Sequence, residues 1–355
     1  MRNLSQPKIE AAPVVLPPLN EQRRIVAKLE ALQSRSRRAR EALDALPPLL
    51  EKLRQSILAA AFRGDLTADW RAQHPHIEPL DIPENFGPAD GGNKHLWGSG
   101  RTADGVDPAW GPIPASWRWV RVRDLNHDSS AAVQIGPMSM KSNEFVDAGT
   151  RVLNVGCVQR GWIDITKADH LPPKRARDFE RYRLEPEDVL FTRSGTVGRC
   201  AILPAEFGGA LMTFHLLRVR PSPDRCAAAF LMFAFQGCHA VSAQIEASSV
   251  GATRAGFNTR LLADMWIPLP PRAEQTELLS RITNLVGRLE GLQAQLDATE
   301  QKLTSAEAAV LAKAFRGELV PQDPNDEPAA VTLSRASAAS AEAPRQRARR
   351  AKAAE

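Results

Sequence analysis

Three stretches of this 355-residue chain bring glycines, hydroxyls and cations together as contacts with a polyanion require. The first is Thr192-Arg193-Ser194-Gly195-Thr196-Val197-Gly198-Arg199, between two strand-like runs. Its glycines allow close backbone approach, and its arginines and hydroxyls can reach phosphates or base edges. The second is Gly136-Pro137-Met138-Ser139-Met140-Lys141-Ser142, and the third runs from Ser248 through Thr253 and Arg254 to Asn258. Arginine binds guanine in a bidentate fashion, and Asn or Gln does the same for adenine. Arg193, Arg254, Asn258 and Gln159 carry those ends, with Ser139, Lys141, Ser194, Thr196, Arg199 and Thr253 completing the candidate set. For any one of them alone, a solvated or ion-paired surface group is the favoured alternative. The cluster Lys174, Arg175, Arg177, Arg181 and Arg183 alternates with Asp178, Glu180 and Glu185, and reads as a solvated helix face.

Catalytic patterns are missing. No G-x-x-x-x-G-K-[ST] loop cradles a phosphate, no G-x-G-x-x-G follows a strand, and no Asn-Pro-Pro-aromatic motif occurs. The nearest approach to a nuclease metal site pairs Pro223-Asp224 with Glu300-Gln301-Lys302, but the latter lies on a heptad helix face. His74-Pro75-His76 and Cys238-His239 have no partners at metal-ligand spacing. The reading is of a chain with no catalytic residues and no metal site.

The elements that must position these loops carry a repeat. Leu16-Pro-Pro-Leu-Asn-Glu-Gln22 returns as Leu269-Pro-Pro-Arg-Ala-Glu-Gln275, and Ala61-Phe-Arg-Gly-Asp-Leu66 as Ala314-Phe-Arg-Gly-Glu-Leu319, both at an offset of 253. Each copy has a heptad rhythm. Leu278, Ile282, Leu285, Leu289, Leu292 and Leu296 step by four and three, and Ile25, Leu29, Leu32 and Leu43 hold the same phase in the first copy. A period of 3.5 makes a seam that another helix must cover. Two phase-matched copies favour an antiparallel pair, within the chain or between chains, over a single helix packed on a globular core. Pro47-Pro48 predicts a kink, and Gly64 and Gly317 stand where helices stop.

The predicted organisation is a first helix over 16–66, a linker over 67–109, a mixed α/β domain over 110–268, a second helix over 269–319 and a disordered tail over 320–355. In the domain, Trp117–Val122, Arg151–Val158, Val189–Arg193, Arg199–Leu203 and Leu211–Val219 read as strands, and Cys226–Ala247 as one buried helix. The net charge of +5 divides unevenly: +4 over 20–66, −4 over 67–109 and +4 over 110–268. That pattern is compatible with a polyanionic partner. The longest apolar run, Cys226–Phe235, is about half a membrane span, the N-terminus lacks the apolar stretch of a secretory signal, and the four cysteines form no disulfide pattern. A cytoplasmic protein with no membrane association is expected.

This ordered set of motifs resembles the specificity (S) subunit of type I restriction–modification systems. A heptad helix that opens L-P-P-x-x-E-Q and closes A-F-x-G-x-L flanks the mixed domain on both sides. Ile113-Pro-Ala-Ser-Trp-Arg-Trp119 is similar to the start of that family's target recognition domain. The Gly136-Pro137 loop resembles its G-P-F-G-S loop, departing at Met138 and Met140. Asp188-Val189-Leu190 with Ser194-Gly195-Thr196-Val197-Gly198 resembles D-[IV]-L…S-G-x-[IV]-G, and Gly251-Ala252-Thr253-Arg254 resembles G-[ST]-T-R, departing at Ala252. Asp65–Arg71 and Glu318–Pro324 also look like the sequences that follow the family's coils.

The resemblance implies an α+β fold: one target recognition domain between two long coiled-coil helices that pair antiparallel. It implies a non-catalytic subunit reading one half of a bipartite double-stranded DNA target. The coils would dock methyltransferase (M) subunits, with restriction (R) subunits completing the complex. S-adenosylmethionine, ATP and Mg are expected on those partners and no cofactor on this chain. Full-length members have two recognition domains, whereas residues 1–15 resemble only the end of a missing first domain. The expectation is a half-subunit that forms a homodimer or pairs with a separate first-half S chain. A coiled-coil scaffold whose central domain binds another protein, and a non-functional split-gene fragment, stay open as alternatives.

Overall fold

The computed structural model describes residues 15–82, 110–128, 132–193, 199–249 and 258–338. They fall into two compact units, Glu51–Leu289 and Met1–Leu50 with Glu290–Glu355.

In the second of these, helix α1 (Leu19–Asp44) lies beside the C-terminal part of a 44-residue helix (Arg272–Phe315). Arg40 bonds Glu307 at 2.8 Å and Arg24 bonds Asp326 at 2.5 Å, so one chain direction falls as the other rises. The pair is antiparallel. Ile25, Leu29, Leu32 and Leu43 are half-buried along it, and Leu29, Leu32, Ser36 and Ala39 face Leu303, Ala306 and Val310 across a groove of about 540 Å³. The tail expected to lack structure departs from that reading. Residues 329–338 are helical, and the Asp326 side chain is almost buried against Arg24, an ion pair that composition does not reveal.

The helix of the first copy breaks at Ala45 and resumes as α2 (Leu46–Phe62). The break lets Pro47 and Pro48 fall in the first turn of α2, where a missing N–H costs nothing. Gly64 and Gly317 stop the two copies at φ of 82° and 71°, the left-handed geometry glycine tolerates. At Gly64 a Cβ would also lie 2.4 Å from Pro114 Cγ. The segment expected to be a linker is packed at its start. Thr67 is buried and Ala68–Gln73 form helix α3, because Arg71 bonds the buried Glu274 at 2.5 Å.

Among the described residues the mixed domain holds three sheets. β1 (Arg118–Arg121) pairs antiparallel with β9 (Trp266–Leu269), tying the two ends of the domain together. Between them β2 (Val133–Ile135), β8 (Leu216–Val219), β5 (Val189–Thr192) and β6 (Cys200–Ile202) form an antiparallel sheet in that spatial order. A third sheet has β3 (Thr150–Leu153) between β4 (Asp169–Leu171) and β7 (Leu211–Met212), the β3–β7 pair being parallel. Strands β5 and β8 are buried along their whole length. Val189, Phe191, Leu217 and Val219 face the main core; Leu190 and Leu216 face a second core on the opposite side, as the two-residue repeat of a strand requires.

The main core is closed by helices. α4 (Ala228–Gly237) is buried almost throughout, α5 (His239–Ser249) follows, and α6 (Thr259–Asp264) packs on β2. The final helix, α7 (Arg272–Phe315), contributes Leu278 and Ile282, and α2 contributes Leu58, Ala61 and Phe62. The single helix expected over Cys226–Ala247 is therefore two, bent by 65° at Cys238. Gly237 lies against Leu58 where a Cβ would be 2.2 Å from its Cβ, so the chain turns at this contact. The strand expected over Arg151–Val158 ends at Leu153, since the Asn154 side chain accepts from the Gly156 N–H and forms a turn. The run Leu211–Val219 is split into β7 and β8 by Thr213–His215, and its halves enter different sheets. Among the described residues no single helix is long and apolar enough to cross a membrane.

The seam of α7 also differs from its heptad. Leu278, Ile282, Val286 and Leu289 are buried, Leu285 and Leu296 are half-buried, and Leu292 is exposed. Next to a globular core the helix buries a 3.6-residue stripe, so Val286 replaces Leu285.

Candidate nucleic-acid interface

The antiparallel order β2–β8–β5–β6 places the end of β2, the start of β8, the end of β5 and the start of β6 on one edge. Ile135 is opposite Leu217, Thr192 opposite Leu216, and Phe191 opposite Cys200. The loop after β2, the turn before β8 and the segment joining β5 to β6 thus emerge together. The turn after β3 joins them, because Thr213 N–H donates to Leu153 O at 2.9 Å and Gly161 N–H to Cys200 O at 2.9 Å. Four connections meet at this loop edge. Gly136 makes the approach possible: a Cβ there would stand 2.2 Å from the Thr213 carbonyl oxygen.

Several predicted residues lie on it. Ser139 and Lys141 are exposed on the loop after β2; Arg193 and Arg199 are half-buried on either side of the β5–β6 connection. Gln159 is on the turn after β3, where its side-chain amide donates to Gly156 O at 2.7 Å. Asn258 accepts from the Leu261 N–H at 2.8 Å and caps α6, a helix-starting role. Ser194, Thr196, Thr253 and Arg254 lie outside the described residues.

The carboxylates near the edge are already committed. Backbone donation from Lys141 and the Arg175 guanidinium hold the Glu144 carboxyl below its ordinary range. Lys167 and the Thr166 hydroxyl do the same for Asp164. Burial pushes Glu51 up, but hydrogen bonds from Gln55 and Arg160 more than offset it. The Lys141 ammonium and the Arg193 and Arg199 guanidiniums make no ion pair among the described residues. Three cations outside the ion pairs among the described residues thus stand on this edge, and cations are what phosphate contact requires. Arg175 and Arg183 of the basic cluster are instead ion-paired with neighbouring carboxylates, as a solvated face predicts.

The D-V-L motif serves the scaffold. Asp188 is fully buried and receives two bonds from Arg220, at 2.7 and 2.8 Å, while Glu185 takes a third donor of the same guanidinium. This bidentate pair anchors the start of β5 and so the position of Arg193 at its end.

Two aromatic groups on the edge escape a reading by motif. Trp162 is 57% exposed beside Gln159, on a turn whose Gly161 has φ of 92°. The Phe214 and His215 rings lie 3.7 Å apart, centroid to centroid, between β7 and β8. An aromatic next to glycine was the available signal for Trp162; Phe214 and His215 were hidden within an apparent single strand.

Comparison with known proteins agrees with this architecture. Residues 152–299 match the type I restriction modification DNA specificity domain. The chain is 24% identical over 327 residues to the type I restriction enzyme EcoKI specificity subunit of Escherichia coli K12, covering 91% of this chain and 61% of that protein. It is 23% identical over 322 residues to the EcoBI specificity subunit of Escherichia coli, with the same shares covered. The chain thus spans about three fifths of the length of the curated relatives it matches. A solved chain from work on complex assembly and conformational transition of the type I R-M system has the same fold. Its TM-score is 0.60 at 23% identity, covering 86% of this chain and 62% of that one. Residues 152–299 are thus similar to the type I restriction modification DNA specificity domain, and the chain as a whole is similar to type I restriction enzyme specificity subunits.

Proposed function

We propose that this chain is the sequence-reading, non-catalytic subunit of a type I restriction–modification complex. The observation that carries the reading is the loop edge, where four connections converge and Lys141, Arg193 and Arg199 stay unpaired among the described residues. The edge binds one half of a bipartite double-stranded target, through phosphates for position and base edges for sequence. A second edge, from a second copy of the chain or a separate first-half S chain, reads the other half; a homodimer demands an interrupted palindrome. The antiparallel helices dock M subunits, which carry S-adenosylmethionine, and R subunits bring ATP and Mg. Such a complex works on the cell's DNA in the cytoplasm.

The test is duplex DNA binding by the chain assembled with its M subunits, titrated with salt. Affinity that falls linearly on logarithmic axes as counterions are released supports the reading. Binding to a protein partner with no DNA affinity at low salt defeats it.

A further inference from the structure

The turn Thr213–His215 occupies the middle of the loop edge and is fixed from several sides. Thr213 N–H donates to Leu153 O, Arg193 N–H donates to His215 O at 3.0 Å, and Leu216 N–H closes the turn onto Thr213 O at 3.0 Å. Gly136 presses on the Thr213 carbonyl from the β2 side. His215 itself is exposed, its ring tilted against half-buried Phe214 with 3.7 Å between centroids and 38° between planes. A ring already held by its neighbour and its backbone has little freedom left to lose on binding. Arg193 and Arg199 flank the turn through β5 and β6, and Lys141 through the loop after β2. Cations there would hold phosphates while the imidazole faces the groove between them.

Resting on the reading that this edge binds DNA, we propose that His215 is a specificity-determining residue that donates a hydrogen bond to the N7 of a purine in the major groove. The imidazole supplies an N–H donor, and N7 is the acceptor that both purines present there. Phe214 is the positioning residue that sets the plane of the ring.

The experiment is selection from a pool of random-sequence duplexes by the full chain in complex with its M subunits. Wild type, His215→Ala and His215→Gln are compared, with thermal unfolding as the folding control. The expected result is loss of a purine preference at one position in His215→Ala. Its affinity for the wild-type-selected duplex should fall about 10- to 100-fold, with affinity for an unselected duplex unchanged. His215→Gln, which keeps a donor, should retain part of the preference. An unaltered motif in both variants overturns the proposal, and so does an equal loss on selected and unselected duplexes, the mark of a phosphate contact. A wild-type complex that binds DNA but selects no motif overturns it as well. A complex with no DNA affinity removes the underlying reading instead.

Discussion

The guanidinium of Arg71 donates to the carboxylate of Glu274 at 2.5 Å across 203 residues of sequence. Thr67 Oγ1 donates to the same oxygen at 2.7 Å, and Arg71 also reaches Gly64 O at 2.6 Å. One ion pair thereby joins the end of the first helical copy to the start of the second. Glu21 is the counterpart of Glu274 in the first copy and is also buried, yet its Oε1 has no hydrogen-bond partner among the described residues. At the offset of 253, Thr67 and Arg71 correspond to Val320 and Pro324, so the donors have no equivalents.

The two glutamates should therefore respond differently to substitution. Arg71→Ala leaves the Glu274 charge buried with only hydroxyl donors and should cost roughly 3 kcal/mol. Glu21→Gln removes a charge that lacks a full set of partners, and should be neutral or stabilising. Denaturant unfolding of the two variants checks the order; equal losses would contradict it.

At the loop edge, Lys141→Ala, Arg193→Ala and Arg199→Ala should each weaken DNA binding by the assembled complex. A side chain that neutralises a phosphate lowers the steepness of log K against log salt by about 1 and acts on all sequences alike. One that reads a base costs about 1–3 kcal/mol on the cognate duplex only. Fluorescence anisotropy across a salt series separates the cases, and unchanged affinity in all three variants would exclude these residues from the interface.

Substitutions along α7 should separate folding from assembly. Ile282 is fully buried in the domain core, so Ile282→Asp should cost more than about 3 kcal/mol and yield an unstable chain. Leu292 is 47% exposed, and Leu292→Asp should change stability by no more than about 0.5 kcal/mol. If the helix docks M subunits, the same variant loses them in co-purification. Full recovery of the complex would remove Leu292 from that surface.

All four cysteines are buried, and burial raises the thiol pKa to about 12 at Cys200 and Cys226 and about 11 at Cys238. Cys157 is shifted the same way. A thiol reagent at pH 8 should label the native chain slowly and label it fully in denaturant. The folded chain keeps these thiols protonated when the unfolded chain, with values near 9, has begun to lose them. Their stabilising contribution is complete below pH 9 and lost as pH rises toward 12. Rapid labelling of the native chain at pH 8 would contradict this burial.

Local signals were the ones legible in advance. The heptad rhythm, the break before Pro47-Pro48 and the glycine stops at 64 and 317 are written in spacings of a few residues. Strands β5 and β6 were legible because short continuous apolar runs stand beside turn-forming glycines. Strands β2, β4 and β9 were missed: each has only three or four residues, too few for an alternation to be counted, and each exists by pairing with a remote partner. The division of Leu211–Val219 had the same cause, and it hid Phe214 and His215.

Composition and periodicity settled that two copies of one long helix flank a mixed domain with basic, glycine-bearing loops. Tertiary structure alone decided which loops share an edge. It committed Asn258 to capping α6, bonded the Gln159 amide to Gly156, and left Lys141, Arg193 and Arg199 outside the ion pairs among the described residues. It also shifted the buried stripe of α7 from Leu285 to Val286. The division follows from range: helix phase and turn chemistry are properties of neighbours in sequence, whereas strand pairing and burial depend on residues tens to hundreds of positions away.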